Sequence, residues 1–434
     1  MRIVGRKENA IYSPRKVVVM RAAVVLLCAA LMGGSAHALT HPATEAIPPT
    51  FFGMHSHFAA IPDMATPWPA ISFGSIRLWD SGVIWPLLEP GKGQWNFATL
   101  DKWVSLAQSH NADILMTLGQ SPTWASARPS EASPYSPGAA AEPANIEDWN
   151  TYVRTVATRY KGRIHYYEIW NEPNLTEFYS GTVNEMVTLA QAAYTILKQV
   201  DPTIKVVSPS VTASAGLSWL DRYFAAGGGA YADVIGYHFY VTPGPPEDIN
   251  PLISQVQQVM SNHGLQGKPL WNTEVGWFIQ NSQDVVVGYG VFSKVLTETE
   301  ATEYVARTYL IDWAGGVDRV FWYAWDDGYM GLTDADHKTV KPPGTAYGVL
   351  YAWLNGASVA SVTQDSQGTW TVLIKRGTGY TGRILWNPAA SVYFPLPRAW
   401  NGKTLKQLTG QQSSLTGVSS LNIGPMPLLV ESSS

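Results

Sequence analysis

Two glutamates in this chain sit in matching surroundings. Ile169-Trp170-Asn171-Glu172-Pro173-Asn174 ends one β-like run, and Trp271-Asn272-Thr273-Glu274-Val275 ends another. Each sets a carboxyl at the end of an apolar strand, flanked by Trp and Asn. Two carboxyls facing one mouth can share acid and base work. One, protonated, assists a leaving oxygen; the other must be ionised. That division is what glycoside hydrolysis requires, and the residues alone do not say which glutamate takes which part. A lone Asn-Glu-Pro is more often a loop turn. The strand before it and the second glutamate at a matching place favour catalysis here.

Other reactive groups have plainer readings. Glu168 lies four residues before Glu172, so strand alternation turns it to the same inward face. It reads as a structural carboxylate with a buried partner, for which Arg77 is the candidate. His55 and His57 share a face, but a metal site needs a third ligand and none is evident. A hydrogen-bonding or packing role is therefore preferred for His57. Asp334-Ala335-Asp336 lacks the Gly and distal Glu of a calcium loop and reads as a solvated turn. The expectation is no metal and no cofactor.

The elements that must position these groups alternate. Strand-like runs cover Phe51–His57, Ser75–Trp79, Asp113–Leu118, Ile164–Trp170, Ile204–Ser208, Val234–Tyr240, Leu270–Thr273 and Arg319–Ala324. Between them lie helical runs or long connections. Thr99–His110 is one helix. Glu147–Tyr160 is another, with Asn145 as N-cap and Gly162 as stop. Thr182-x-x-Glu185 and Thr297-x-x-Glu300 are capping boxes opening two more. Gly344–Leu354 reads as the last helix. Alternation of this kind predicts parallel strands with crossover helices. The strands recur about every 38 residues, which suits an eight-fold barrel with modest insertions. Glu172 and Glu274 lie 102 residues apart, three units around such a barrel, so strands four and seven bring them face to face. The Pro/Ala/Ser stretch 128–144 follows the third strand, on the active face, and can wall a cleft.

The predicted fold class is therefore α/β, a (β/α)8 barrel over residues 39–356 with a small antiparallel β module over 357–434. Short β-like runs at Val359–Val362, Thr369–Lys375, Gly382–Trp386 and Leu428–Val430 mark the module. It reads as a structural cap before a carbohydrate-binding module.

Composition narrows the partners. The chain has 434 residues, 46% of them hydrophobic and only 14% charged, with a net charge of −4. No Lys/Arg cluster is present to meet phosphates, so nucleic acid is not the expected partner. Eighteen Trp and 21 Tyr suit flat apolar sugar faces as well as a large core. At the N-terminus Arg21 precedes an uncharged run, Ala22–Met32, and Ala36-His37-Ala38 has the form of a cleavage site. Residues 1–38 thus read as a signal peptide cut after Ala38, with Met20 a credible start. The expected destination is secreted or periplasmic, with no membrane span. The single cysteine, Cys28, falls inside that segment. Nothing indicates oligomerisation, and a monomer is the default.

The strand-four sequence Ile169–Asn174 resembles the acid/base motif of the clan-A glycoside hydrolases, retaining (β/α)8 enzymes, and within them family 39. That family holds β-xylosidases, α-L-iduronidases and bacterial endoglycosidases. The layout resembles most the Psl-type hydrolases of biofilm exopolysaccharide. The resemblance covers about residues 50–356. It implies Glu172 as acid/base and Glu274 as nucleophile, with Asn171 on the sugar 2-hydroxyl. It implies Arg77 beside the nucleophile, and His238 and Tyr240 on strand six with Tyr240 donating to Glu274. Trp325 is implied as a sugar platform, with Trp322 as alternative, and Trp124, in Pro122-Thr123-Trp124, as lining the site. The Lys341–Tyr347 run resembles the clan's approach to the last helix. The expected activity is endo-acting cleavage of a polysaccharide, with an exo-acting β-xylosidase as alternative and a non-catalytic carbohydrate-binding barrel as a remote one.

Overall fold

Eight short apolar runs, nearly all buried along their length, form a parallel ring. The computed structural model describes residues 35–37 (backbone only), 40–64, 66–282 and 285–432. The expected signal segment 1–38 lies outside these residues except for 35–37. The ring consists of β1 (Phe52–His55), β2 (Ser75–Leu78), β3 (Asp113–Leu118), β4 (Tyr166–Ile169), β5 (Lys205–Val207), β6 (Ile235–His238), β7 (Leu270–Val275) and β8 (Val317–Trp322). Each pairs with its sequence neighbour, and β8 returns to β1 through Val320↔Phe52. The join between β5 and β6 is split. Val207 bridges Val234, and the chain resumes as Val211–Thr212, pairing with Tyr237 and His238. That closes an eight-stranded (β/α)8 barrel.

Helices cover the ring: α1 (Ala98–Ser109), α2 (Ile146–Arg159), α3 (Val183–Val200), α4 (Gly216–Ala225), α5 (Ile249–Asn262), α6 (Glu298–Ala314) and α7 (Pro342–Leu354). Asn145 caps α2 by accepting from the Glu147 amide, and both capping boxes form in full. The helices α4 and α5 have no counterpart among the sequence-predicted elements. Neither has a side-chain N-cap bond, so the local signal that announces α2, α3 and α6 is missing. Among the described residues no helix lies between β1 and β2. Instead α6 and α7 cover β1, and the hydroxyls of Tyr309 and Tyr347 donate to Gly53 O at 2.9 and 3.0 Å. Glycine is required there, because a Cβ would lie 2.5 Å from the Phe321 ring and 2.6 Å from Val320 O.

The barrel interior is filled. Arg319 lies over Tyr166 and Trp271, 4.2 and 4.4 Å from their ring centroids, and donates to Asp113 and Ser75. Leu115, Val207, Val234, Trp271 and Phe321 pack as a layer of their own. The mouth at the strands' C-terminal ends is what remains for chemistry.

Beyond α7 the described residues form strands, with one short 3-10 turn at Arg398–Trp400: β9 (Ser358–Gln364), β10 (Trp370–Arg376), β11 (Tyr380–Trp386), β12 (Val392–Pro395), β13 (Thr404–Gln407), β14 (Gln412–Ser414), β15 (Ser420–Ile423) and β16 (Leu428–Ser432). Six form one antiparallel sheet in the order β9-β10-β11-β16-β13-β14, and residues 35–37 extend it beside β9. Strands β12 and β15 pair separately. Arg376 donates to the carbonyls of Ala352 and Trp353 at the end of α7, and Trp386 Nε1 donates to Glu247 at 2.9 Å. Among the described residues no helix is long and apolar enough to cross a membrane.

Candidate active site

Strand alternation turns Arg77, Glu168 and Thr117 inward, and all three are buried. Arg77 is the hub. Its Nε donates to Glu168 at 2.8 Å, Nη1 to Glu274 at 2.7 Å and Nη2 to Asn171 Oδ1 at 2.8 Å. Thr117 and Ser210 hydroxyls also donate to Glu168. Glu168 is thus a fully paired buried carboxylate, which leaves it no part in substrate chemistry. Arg77 spends its fork on three acceptors at once, a geometry that lysine cannot reproduce.

Glu172 and Glu274 reach the mouth from β4 and β7, 8% and 7% exposed. One oxygen of each and a nitrogen of His238 lie within 4.8 Å of one another. His238 Nδ1 is 2.8 Å from Glu172 and 4.0 Å from Glu274. The Tyr240 hydroxyl donates to Glu274 Oε1 at 2.9 Å. Three ligand atoms at this spacing could meet a cation. Arg77 already supplies a positive charge there, on Glu274.

The two carboxyls have different surroundings. Burial raises Glu172 from the ordinary range to about 7. Burial raises Glu274 too, with the Arg77 guanidinium opposing it. With a guanidinium and a phenol on its two oxygens, Glu274 is the carboxylate that stays ionised. Burial lowers His238 to about 4, so its imidazole is neutral around pH 7.

The backbone at the end of β4 is unusual. Trp170 and Glu172 both have left-handed φ, 64° and 45°. The Glu172 amide donates to Ser210 O, and Asn174 Oδ1 accepts from the Thr212 amide. These bonds hold the crimped segment against β5, and strain of this kind collects where function fixes a side chain.

Not every expected residue joins the centre. Arg77, His238 and Tyr240 meet the glutamates as described, and Asn171 joins them through Arg77. His57 is 6% exposed, its ring 5.0 Å from Tyr323, and its Nε2 has no partner among the described residues. Trp325 is corrected: it is 3% exposed and packs in the main hydrophobic core, and Trp322 is fully buried. The Trp325 amide donates to His55 O, which ties it back to the rim, and neither ring offers a free face. Trp124 is half-buried against Trp85, with Nε1 on Glu89 O, and makes no hydrogen bond to either glutamate. Asp334 and Asp336 accept from backbone amides at 282, 335, 338 and 339, which makes that run a bonded turn. Sequence reasoning missed Asp80, Tyr135 and Tyr323. Both tyrosine hydroxyls donate to Asp80, at 2.7 and 2.8 Å. Their separation along the chain left no local signal.

Comparison with known proteins finds relatives of the same barrel fold. Residues 130–325 match the model of the glycosyl hydrolase catalytic core. A β-xylosidase of Caldicellulosiruptor saccharolyticus is 32% identical over 108 residues, 23% of this chain and 22% of that protein. The match therefore spans about a fifth of that relative's length. A family 39 glycoside hydrolase from the gut symbiont Bacteroides cellulosilyticus superposes with a TM-score of 0.69 at 19% identity, covering 89% of this chain and 81% of that one. A family 39 β-xylosidase from Caulobacter crescentus does so at 0.64 and 15%, covering 93% and 98%. Residues 130–325 thus resemble a glycosyl hydrolase catalytic core, on a barrel whose fold the chain shares with family 39 enzymes.

Proposed function

We propose that the protein is a secreted retaining endo-β-glycosidase that hydrolyses a polysaccharide, a bacterial exopolysaccharide of the Psl kind, by double displacement. Glu172 protonates the glycosidic oxygen while Glu274 attacks the anomeric carbon. Water then resolves the glycosyl-enzyme, and Glu172, now a base, takes its proton. The supporting observation is the spacing of the pair. One oxygen of each carboxyl comes within 4.8 Å of the other, a close approach of the kind that favours a retaining pair, at about 5–5.5 Å, over an inverting pair at about 6.5–9.5 Å. In this reading Asn171, whose Oδ1 accepts from Arg77, meets the sugar 2-hydroxyl.

The test follows the first-formed anomer by NMR, with products sized by mass spectrometry on a polysaccharide panel. Retention and oligosaccharides from wild type, with none from Glu274→Gln, are expected. Inversion, or an unimpaired Glu274→Gln, sinks the mechanism. The match to a β-xylosidase supports a second reading, exo-acting release of xylose, which monosaccharide as sole product would select. Binding without turnover on any glycan selects a carbohydrate-binding barrel. Export and a monomeric state belong to the same proposal. Cell fractionation and light scattering test them.

A further inference from the structure

Asp80 stands just past β2 in a left-handed conformation, φ 55°. Its two carboxylate oxygens are each taken by a tyrosine. Tyr135 comes from the 128–144 stretch and donates to Oδ1; Tyr323 comes from just past β8 and donates to Oδ2. Tyr135 is wedged between Trp79 and Phe178, with ring centroids 5.4 and 6.0 Å away. Tyr323 lies against His55 and His57, at 5.1 and 5.0 Å. The bracket adjoins the catalytic mouth: Asp80 follows Arg77 by three residues, Tyr323 packs on the cluster that holds Tyr240, the donor to Glu274, and His55, beside Tyr323, has its Nε2 3.1 Å from Thr273 O. Beside it the His57 Nε2, on a side chain more than nine-tenths buried, lacks a partner. A buried imidazole nitrogen of that kind awaits a hydroxyl.

The charges in this mouth are unequal. Arg77 is the cation in contact with it, and that guanidinium is consumed by Glu168, Glu274 and Asn171. Burial holds His55 well below its ordinary pKa, and His238 likewise, so both are neutral near pH 7. Asp80 adds a carboxylate that no Lys or Arg hydrogen-bonds among the described residues. Each of its oxygens keeps a lone pair after accepting from tyrosine.

We propose that Asp80, oriented by Tyr135 and Tyr323, determines specificity at the sugar site: it accepts hydrogen bonds from hydroxyls of a neutral sugar or the ammonium of an amino sugar, and excludes uronic acids. The proposal rests on the glycosidase reading of the same mouth. A uronate would bring a like charge beside Asp80, where the one cation of the mouth is already spent, and like charges so placed disfavour binding. The 128–144 stretch then acts on specificity through one hydroxyl.

Binding can be read by calorimetry with the full chain. The probes are xylo-oligosaccharides (neutral), glucosamine oligosaccharides (cationic) and oligogalacturonate (anionic). Wild type is expected to take the first two at least about tenfold more tightly than the third. Asp80→Asn, nearly isosteric, narrows that preference by about tenfold or more, and less so at high salt. Tyr135→Phe weakens binding of neutral and cationic probes with the preference against oligogalacturonate kept, since Asp80 remains charged but loses one orienting donor. Anion binding by wild type as tight as that of the neutral probe overturns the proposal. So does an unchanged preference in Asp80→Asn, or no binding of any probe by wild type. Failure of the glycosidase reading shows separately, as absence of turnover on the polysaccharide panel in wild type.

Discussion

His238 Nδ1 lies 2.8 Å from Glu172 Oε1, and burial moves the two groups in opposite directions, the carboxyl up to about 7 and the imidazole down to about 4. Near neutrality the pair is an acid and a neutral ring rather than an ion pair. A protonated Glu172 is what departure of a glycosidic oxygen needs. The rate should fall as pH rises through about 7, where Glu172 loses its proton. A pH profile of kcat/KM checks this. Glu172→Gln should lose that basic limb while keeping measurable rates on aryl glycosides with good leaving groups. A basic limb unmoved in the variant would assign the proton elsewhere.

The same pair governs stability. Glu172 is raised in the fold, so its contribution is full below about 4.5 and is lost as pH rises through about 7. His238 is lowered, so its contribution is present above about 6.5 and lost as pH falls through about 4. Between these limits the two slopes oppose each other. Glu172→Gln removes only the first. The variant should gain on wild type between pH 5 and pH 8, by about 3 kcal/mol at most. Urea midpoints at both pH values measure it, and equal midpoint differences at the two would refute the linkage.

Arg77 cannot be replaced conservatively. Arg77→Lys offers one ammonium to three acceptors and leaves Glu168, fully buried, short of a partner. A loss of about 3–5 kcal/mol is expected from denaturant titration. Turnover should fall at least about a hundredfold, because Glu274 also loses the guanidinium bond that holds it. A variant as stable as wild type contradicts this reading of the hub.

Tyr240→Phe is a milder probe. It removes one donor from Glu274 and leaves Arg77 in place. We expect kcat to drop about tenfold to a hundredfold with KM nearly unchanged, as for a bond that holds the nucleophile. A change confined to KM would place Tyr240 on substrate binding instead.

Much of this arrangement was legible in the sequence because its signals are local or periodic. Thr182 and Glu185, or Thr297 and Glu300, announce a helix from within four residues. Glu168 and Glu172 share a face through strand alternation, and the barrel period set Glu172 across from Glu274. What escaped has other causes. The helices α4 and α5 start without caps. Strands β12 to β15 are short and half-exposed, so no apolar run marks them. Asp80 meets Tyr135 and Tyr323 from 55 and 243 residues away, and no spacing rule reaches that far. Trp325 was misplaced for a related reason: aromatic identity near a strand end does not say whether the ring turns to the mouth or to the core.

The absence of a helix after β1 has a consequence for synthesis. The edge of β1 away from β2 is closed by β8, and its outer face by Tyr309 and Tyr347, 256 and 294 residues later than Gly53. At about 5–20 residues per second on the ribosome, that edge waits tens of seconds for its partners. The nascent chain therefore carries an open barrel until nearly the whole catalytic core has been made.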